Sequence, residues 1–242
     1  MSDGLNLAVD EVDFVVAAER LARTGRTRVP GLLGEGAGRL HDEMADPIHD
    51  WARAFHNPFG VDVSAAGFDA QSDEDRQAAL DRIHAGAAKG LQFLFDRLLI
   101  HTTGDEASHT PPLLKAAVEL FNSEAYLAFA RRLTGDDRIV SADGQATRYL
   151  PGHFLNRHTD ANEASGRLYA YVLNLSPRWR AEWGGHLQFL DETGEVTESM
   201  IPAFGALNVF KVPQSHAVSV VAPFAPAPRY SIIGWWRSQA LT

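Results

Sequence analysis

The chain has 242 residues, 45% of them hydrophobic and 22% charged, and carries a formal charge of −9 at neutral pH. This is the mix of a folded globular chain rather than a disordered one, and its acidity argues against broad phosphate-backbone binding, which depends on clustered Lys and Arg. With no cysteine, disulfides and thiolate chemistry are excluded, and any bound metal must be held by His, Asp or Glu.

No apolar run approaches the roughly 18 residues of a membrane helix. The acidic opening MSDGLNLAVDEVDF lacks the basic start and apolar block of a secretory signal, so the expected location is cytoplasmic, with no membrane partner and no direct nucleic-acid binding. The first predicted helix covers about Val9 to Arg23. From Arg76 to Leu98, the residues Leu80, Ile83, Ala87, Leu91, Leu94, Phe95 and Leu98 recur every three or four positions and predict a second helix, with Ser72 as a cap near its start. HTTGDEASHTPP at 101–112 reads as a loop. NSEAYLAFARRLTG predicts a third helix, capped by Asn122 or Ser123 and ended by Gly135. All three helices read as scaffold.

After Gly135 the pattern changes. ATRYL, HFLNRH, RLYAYVLNL, GHLQFL, ALNVFKV, AVSVVA and RYSIIGWW are short runs rich in β-branched and aromatic residues, separated by Gly, Pro, Asn or Asp. Repeated short strands with turn signals predict a sandwich or barrel. No composition marks a tether between the halves. The expectation is one domain over 1–242, with a helical part over about 1–135 and a β core over about 136–240.

Within GHFLNRHTDANEASGR, His158 and Asp160 are two positions apart at an expected strand end, so both side chains aim at one side while Thr159 turns away. Such a pair alone is more often an ordinary hydrogen-bonded pair than a ligand set. His216, opening a β-rich run after a Pro-containing turn, is the best third ligand. Two histidines and a carboxylate with open positions beside them form the arrangement of non-heme iron(II) oxygenases. In PRYSIIGWW, Arg229 and Ser231 share a strand face. An arginine facing an apolar run is expensive unless it meets an anion, and its planar fork suits a carboxylate. His153 has the wrong spacing from His158, and His186 follows a Gly pair at a strand start; neither is favoured as a ligand. Trp179 and Trp183 are expected to cover the barrel edge.

The ordered run RYLPGHFLNRHTD, YVLNLSPRWRAEWGGHLQFLD, IPAFGALNVFKVPQSHAVSVVAP and PRYSIIGWW resembles the iron(II)- and 2-oxoglutarate-dependent oxygenases of the prolyl hydroxylase group. The likeness is greatest to the branch that hydroxylates a ribosomal-protein proline and to its bacterial relatives. It covers roughly residues 76–238. It implies a mainly β fold with α, a double-stranded β-helix or jelly roll supported by N-terminal helices. By position it implies His158, Asp160 and His216 as iron ligands and Arg229 as the anchor of the 2-oxoglutarate C5 carboxylate, assisted by Ser231. Tyr149 matches a family tyrosine that meets the co-substrate, although a barrel-wall aromatic is an alternative role. Leu187 and Trp235 would be apolar walls. Val172 departs from the family, several members of which place a tyrosine there. The resemblance further implies iron(II), 2-oxoglutarate, ascorbate as an auxiliary reductant, succinate and CO2 as co-products, and a protein or peptide substrate, ribosomal if the branch is followed. Asp160 itself favours hydroxylation over halogenation, because related halogenating enzymes leave that position open for chloride.

Three alternatives stay open at this level: a small-molecule hydroxylase of the same class, a zinc hydrolase on the same ligands, and a non-catalytic jelly roll that binds a metal or a small acid. The hydrolase lacks an obvious general base and leaves Arg229 unexplained.

Overall fold

A computed structural model of the protein describes residues 4–162 and 165–241, without the side chain of Glu106. In chain order the elements of the first part are α1 (Glu11–Thr24), β1 (Arg26–Val29), α2 (Gly36–Ala45), β2 (Ala52–Phe55), β3 (Val63–Ser64), α3 (Ala65–Asp69), α4 (Asp73–Ala87), β4 (Phe93–Leu99), α5 (Pro112–Phe121) and α6 (Glu124–Thr134). There follow β5 (Ser141–Ala142), β6 (Gln145–Tyr149), β7 (Phe154–His158), β8 (Arg167–Asn174), β9 (Leu187–Leu190), β10 (Val196–Met200), β11 (Leu207–Lys211), β12 (His216–Val218) and β13 (Arg229–Arg237).

α1 forms where expected. Asp10 accepts from the Val12 amide at its start, Gly25 at φ 72° ends it, and Phe14, Ala17 and Leu21 make its buried stripe. α6 is also as expected: Ser123 caps it and Gly135 closes it in the left-handed conformation, where glycine carries no Cβ penalty. The helix expected over 76–98 stops early. Ser72 does cap α4, but that helix ends at Ala87, and Leu94, Phe95 and Leu98 belong to strand β4. The apolar spacing of 91–98 fits a helix, but β4 finds hydrogen-bonding partners in β2, β6 and β7, so tertiary pairing overrides local periodicity. α5 begins right after the expected loop. Its own N-cap position, Pro111, makes no side-chain cap; the Glu43 carboxylate of α2 accepts from the Leu113 and Leu114 amides at 3.0 and 2.8 Å instead.

Every strand pairing among the described residues is antiparallel. One continuous ladder runs β1-β11-β8-β13-β6-β4-β7-β12-β9-β10, with β2 and β3 added beside β4 and β5 beside β13. The first part of the chain is therefore less purely helical than expected, since β1 to β4 are built into this sheet. Alternation splits each strand between two environments. One face, with Tyr171, Leu173, Ile232 and Trp236, packs under α1, α5 and α6 through Phe14, Phe121 and Tyr126. The other face carries Ala170, Val172, Leu187, Phe189 and Phe210, with Tyr149 and Phe95 alongside, and lines the interior of the curled sheet. No helix among the described residues is long and apolar enough to cross a membrane.

Candidate active site

β7 ends at His158, and Asp160 follows two residues later. β12 runs antiparallel to β7 and sets His216 opposite His158 in register. The His158 Nε2 lies 3.6 Å from Asp160 Oδ1, and the His216 Nε2 lies 3.5 Å from Oδ2. One ligand atom from each of the three lies within 4.8 Å of the other two. The far nitrogen of each ring is held by backbone: His158 Nδ1 is 2.9 Å from the Asn156 carbonyl and His216 Nδ1 is 2.9 Å from the Gln214 carbonyl. A carbonyl only accepts, so in the neutral rings Nδ1 carries the proton and Nε2 turns its lone pair toward Asp160.

Burial, with His158 next to it, lowers the His216 pKa to about 4. Burial also pushes the Asp160 carboxyl up, but the neighbouring His158 and His216 outweigh it and leave the group below its ordinary range. A neutral His216 and an ionised Asp160 are the forms a metal requires. Two imidazole nitrogens and a carboxylate, with no cysteine in the chain, suit a non-heme iron(II) centre.

β13 lies against β6 with Arg229 directly opposite Tyr149. Arg229 is 2% exposed, its guanidinium carbon sits 5.2 Å from the Tyr149 ring centroid, and its Nε is buried without a hydrogen-bond partner. Burial disfavours its charge, and Tyr149 works the other way. Gly185 is what lets the arginine lie there: a Cβ at that position, where φ is +65°, would come 2.9 Å from Arg229 Cδ. Tyr149 stacks on Phe95 at 5.1 Å between centroids and is itself buried, so it forms a wall beneath the arginine.

The cavity between the triad and Arg229 is bounded by Leu187, Trp235, Val172, Leu155, Val218 and Phe210. Val172 faces this cavity alongside Ala170, while Tyr169 packs in the opposite core. Ser231 shares the Arg229 face, but its hydroxyl is engaged 2.8 Å from Thr147 Oγ1, a buried partner that the sequence reading missed although it lies two residues before Tyr149. Phe95 was missed as well, because its segment reads as a helix.

His153 is buried away from the triad, near Asp96, Arg53 and Arg148, and burial lowers its pKa to about 4. His186 is held by Ser199 Oγ and the Ala181 carbonyl. Trp179 and Trp183 meet edge to face at 5.5 Å over the cluster that contains Tyr149. Of the loop ANEASG, Glu163 and Ala164 lie outside the described residues. Its far end is tied to the last strand: Arg237 donates to the Ser165 carbonyl at 3.0 Å, and the Ser238 amide donates to the Gly166 carbonyl.

Residues 144–237, which hold the triad, Tyr149, Arg229 and Ser231, match the model of the 2OG-Fe(II) oxygenase superfamily. Over 126 residues the chain is 32% identical to the prolyl 3-hydroxylase OGFOD1 of Mus musculus; the match covers 49% of this chain and 23% of that protein, so it spans about a quarter of the relative's length. A 2OG-Fe(II) oxygenase-family oxidoreductase from Burkholderia pseudomallei superposes with a TM-score of 0.62 at 14% identity, over 98% of this chain and 97% of the other. A Trichoplax adhaerens prolyl hydroxylase, solved with a hypoxia inducible factor peptide fragment, superposes with a TM-score of 0.63 at 16% identity, over 94% and 91%. These structures share the double-stranded β-helix fold. The family model matches the segment that carries the triad and Arg229, and the superposed structures share the fold that the sequence motifs imply.

Proposed function

We propose that the chain, acting as one domain, hydroxylates a prolyl residue of a protein or peptide substrate, using iron(II) and 2-oxoglutarate and releasing succinate and CO2. The observation that carries this reading is the pairing, in one apolar cavity, of a His-Asp-His set with a buried arginine whose Nε has no partner. His158, Asp160 and His216 would hold the metal. Arg229 would take the distal carboxylate of 2-oxoglutarate through charge-assisted hydrogen bonds, the kind that best repays the burial of a guanidinium. The iron, when bound with 2-oxoglutarate and oxygen, supplies the oxidising chemistry.

The protein's own contribution is placement and exclusion of water. The backbone carbonyls of Asn156 and Gln214 fix the two imidazoles. Leu187, Val172, Val218 and Trp235 keep the cavity dry, which strengthens every charge interaction inside it. Tyr149 supports the arginine from below, and Ser231 with Thr147 stiffens the same pair of strands.

The prolyl substrate follows from the relative's named activity and the motif resemblance, and a ribosomal protein is the candidate carrier of that proline. The loop at 161–166, tied at its far end to β13, is the proposed clamp on an extended peptide, since loops beside a site tend to carry recognition. The test is to incubate the protein with iron(II), 2-oxoglutarate, ascorbate and ribosomal protein from the source cells, and to seek a mass gain of one oxygen on a proline. Alanine at Asn162, Glu163 and Ser165 should lower that product several-fold while sparing iron binding and slow succinate release. Oxygen gain on a small molecule but on no peptide would move the substrate class to the small-molecule alternative.

A further inference from the structure

The sheet is not closed by backbone pairing: β1 and β10 end its ladder, and side chains join them. The segment RLARTGRTR, residues 20–28, holds no acid and brings Arg20, Arg26 and Arg28 to this seam. Across from them Glu198 of β10 is used up, because Arg20 donates to its Oε1 and Arg26 donates to its Oε2 at 2.6 Å. Arg28 reaches only neutral oxygens: Asn208 Oδ1 at 2.9 Å and the Ile201 carbonyl at 2.5 Å. Its charge is disfavoured by burial and by the Arg20 cation, and Glu198 offsets only part of this. A cleft of about 230 Å³ opens here, lined by Arg20, Arg28, Glu198, Ser199, Met200 and Ile201.

Two converging guanidinium groups, one of them half-buried without a carboxylate of its own, make a site for an anion. The excess of positive charge and the two approach directions favour a dianionic tetrahedral group over a second carboxylate. The patch is confined to one cleft of an otherwise acidic chain, which suits a small ligand and not a nucleic-acid backbone. We propose that this cleft binds a small phosphate-bearing anion, its oxygens taken by Arg20 and Arg28. The site is separate from the His-Asp-His cavity. It nevertheless lies close to it, because Arg26 stacks 4.5 Å from the Phe189 ring centroid and Phe189 pairs with His216 across β9 and β12.

The test is calorimetric titration of sodium pyrophosphate into metal-free protein at constant ionic strength. Saturable binding to one site is expected, weakened at least about tenfold by Arg28→Gln and by Arg20→Gln, as loss of a charge-assisted contact implies. Arg23→Gln, a nearby exposed arginine outside the cleft, and Arg229→Ala, in the other cavity, should leave it unchanged. The absence of saturable heat, equal affinity in the Arg20 and Arg28 variants, or loss of binding in Arg229→Ala would overturn the proposal. Should Arg28→Gln fail to fold, Arg20→Gln, half exposed on α1, decides the matter by itself.

Discussion

Two sets of buried polar groups lie on opposite faces of the sheet near the β4–β6 pair, and they differ in completeness. On the outer face Asp96, fully buried, accepts from Arg53 Nε at 2.8 Å and Arg148 Nη2 at 2.7 Å, and Arg53 reaches Asp69 as well. There each buried charge has an opposite charge on it. On the inner face, one residue along, Tyr149 and Phe95 lead to Arg229 and the triad, where the guanidinium has no carboxylate and the carboxylate has only imidazoles. Burial is similar on both sides; pairing is not. A finished cluster of this kind holds a fold together, whereas a preorganised but unfinished one marks where a ligand supplies the missing charge.

The difference is open to direct attack, most forcefully on the outer face. Asp96→Asn leaves Arg53 and Arg148 without their shared anion, so urea unfolding should show a loss of about 3–5 kcal/mol; a loss below about 1 kcal/mol would mean that water already screens the cluster. Changes on the inner face should act on binding instead. His158→Ala, Asp160→Ala and His216→Ala each remove one of three proposed iron contacts, and iron(II) affinity should fall by more than the roughly 10–100-fold typical of outer-shell changes, with unfolding midpoints nearly unmoved. An unchanged affinity in any one of them removes that residue from the site. The smallest effect is expected at Gly185. Gly185→Ala forces a side chain into a left-handed conformation and against Arg229 Cδ, which should cost about 1–2 kcal/mol of stability and weaken 2-oxoglutarate binding only a few-fold while leaving iron binding alone.

The inner face was far more legible in the sequence than the outer one. His158, His216 and Arg229 sit on short strands whose alternation is plain, with Asp160 two residues past the end of β7, so facing could be read from spacing, and register then brought them together. Asp96 lies in FLFDRLL, an apolar run whose spacing matches a helix equally well, and nothing local reveals that β6 will supply Arg148. The same holds for α5, capped by a glutamate about 70 positions away, and for β1 and β10, short segments joined through arginines and Glu198. Chemistry encoded within a few residues of one strand is visible in the chain; structure that depends on a distant partner is not.

The central claim is that Arg229 and the triad form one site completed by two ligands together. Anaerobic calorimetric titration of 2-oxoglutarate, with and without iron(II), in the native protein and in Arg229→Ala, tests it most directly. The account predicts one-to-one binding that needs the metal, with affinity reduced at least about tenfold in Arg229→Ala while iron(II) itself binds that variant normally. Equal 2-oxoglutarate affinity without iron, or in Arg229→Ala, would contradict it.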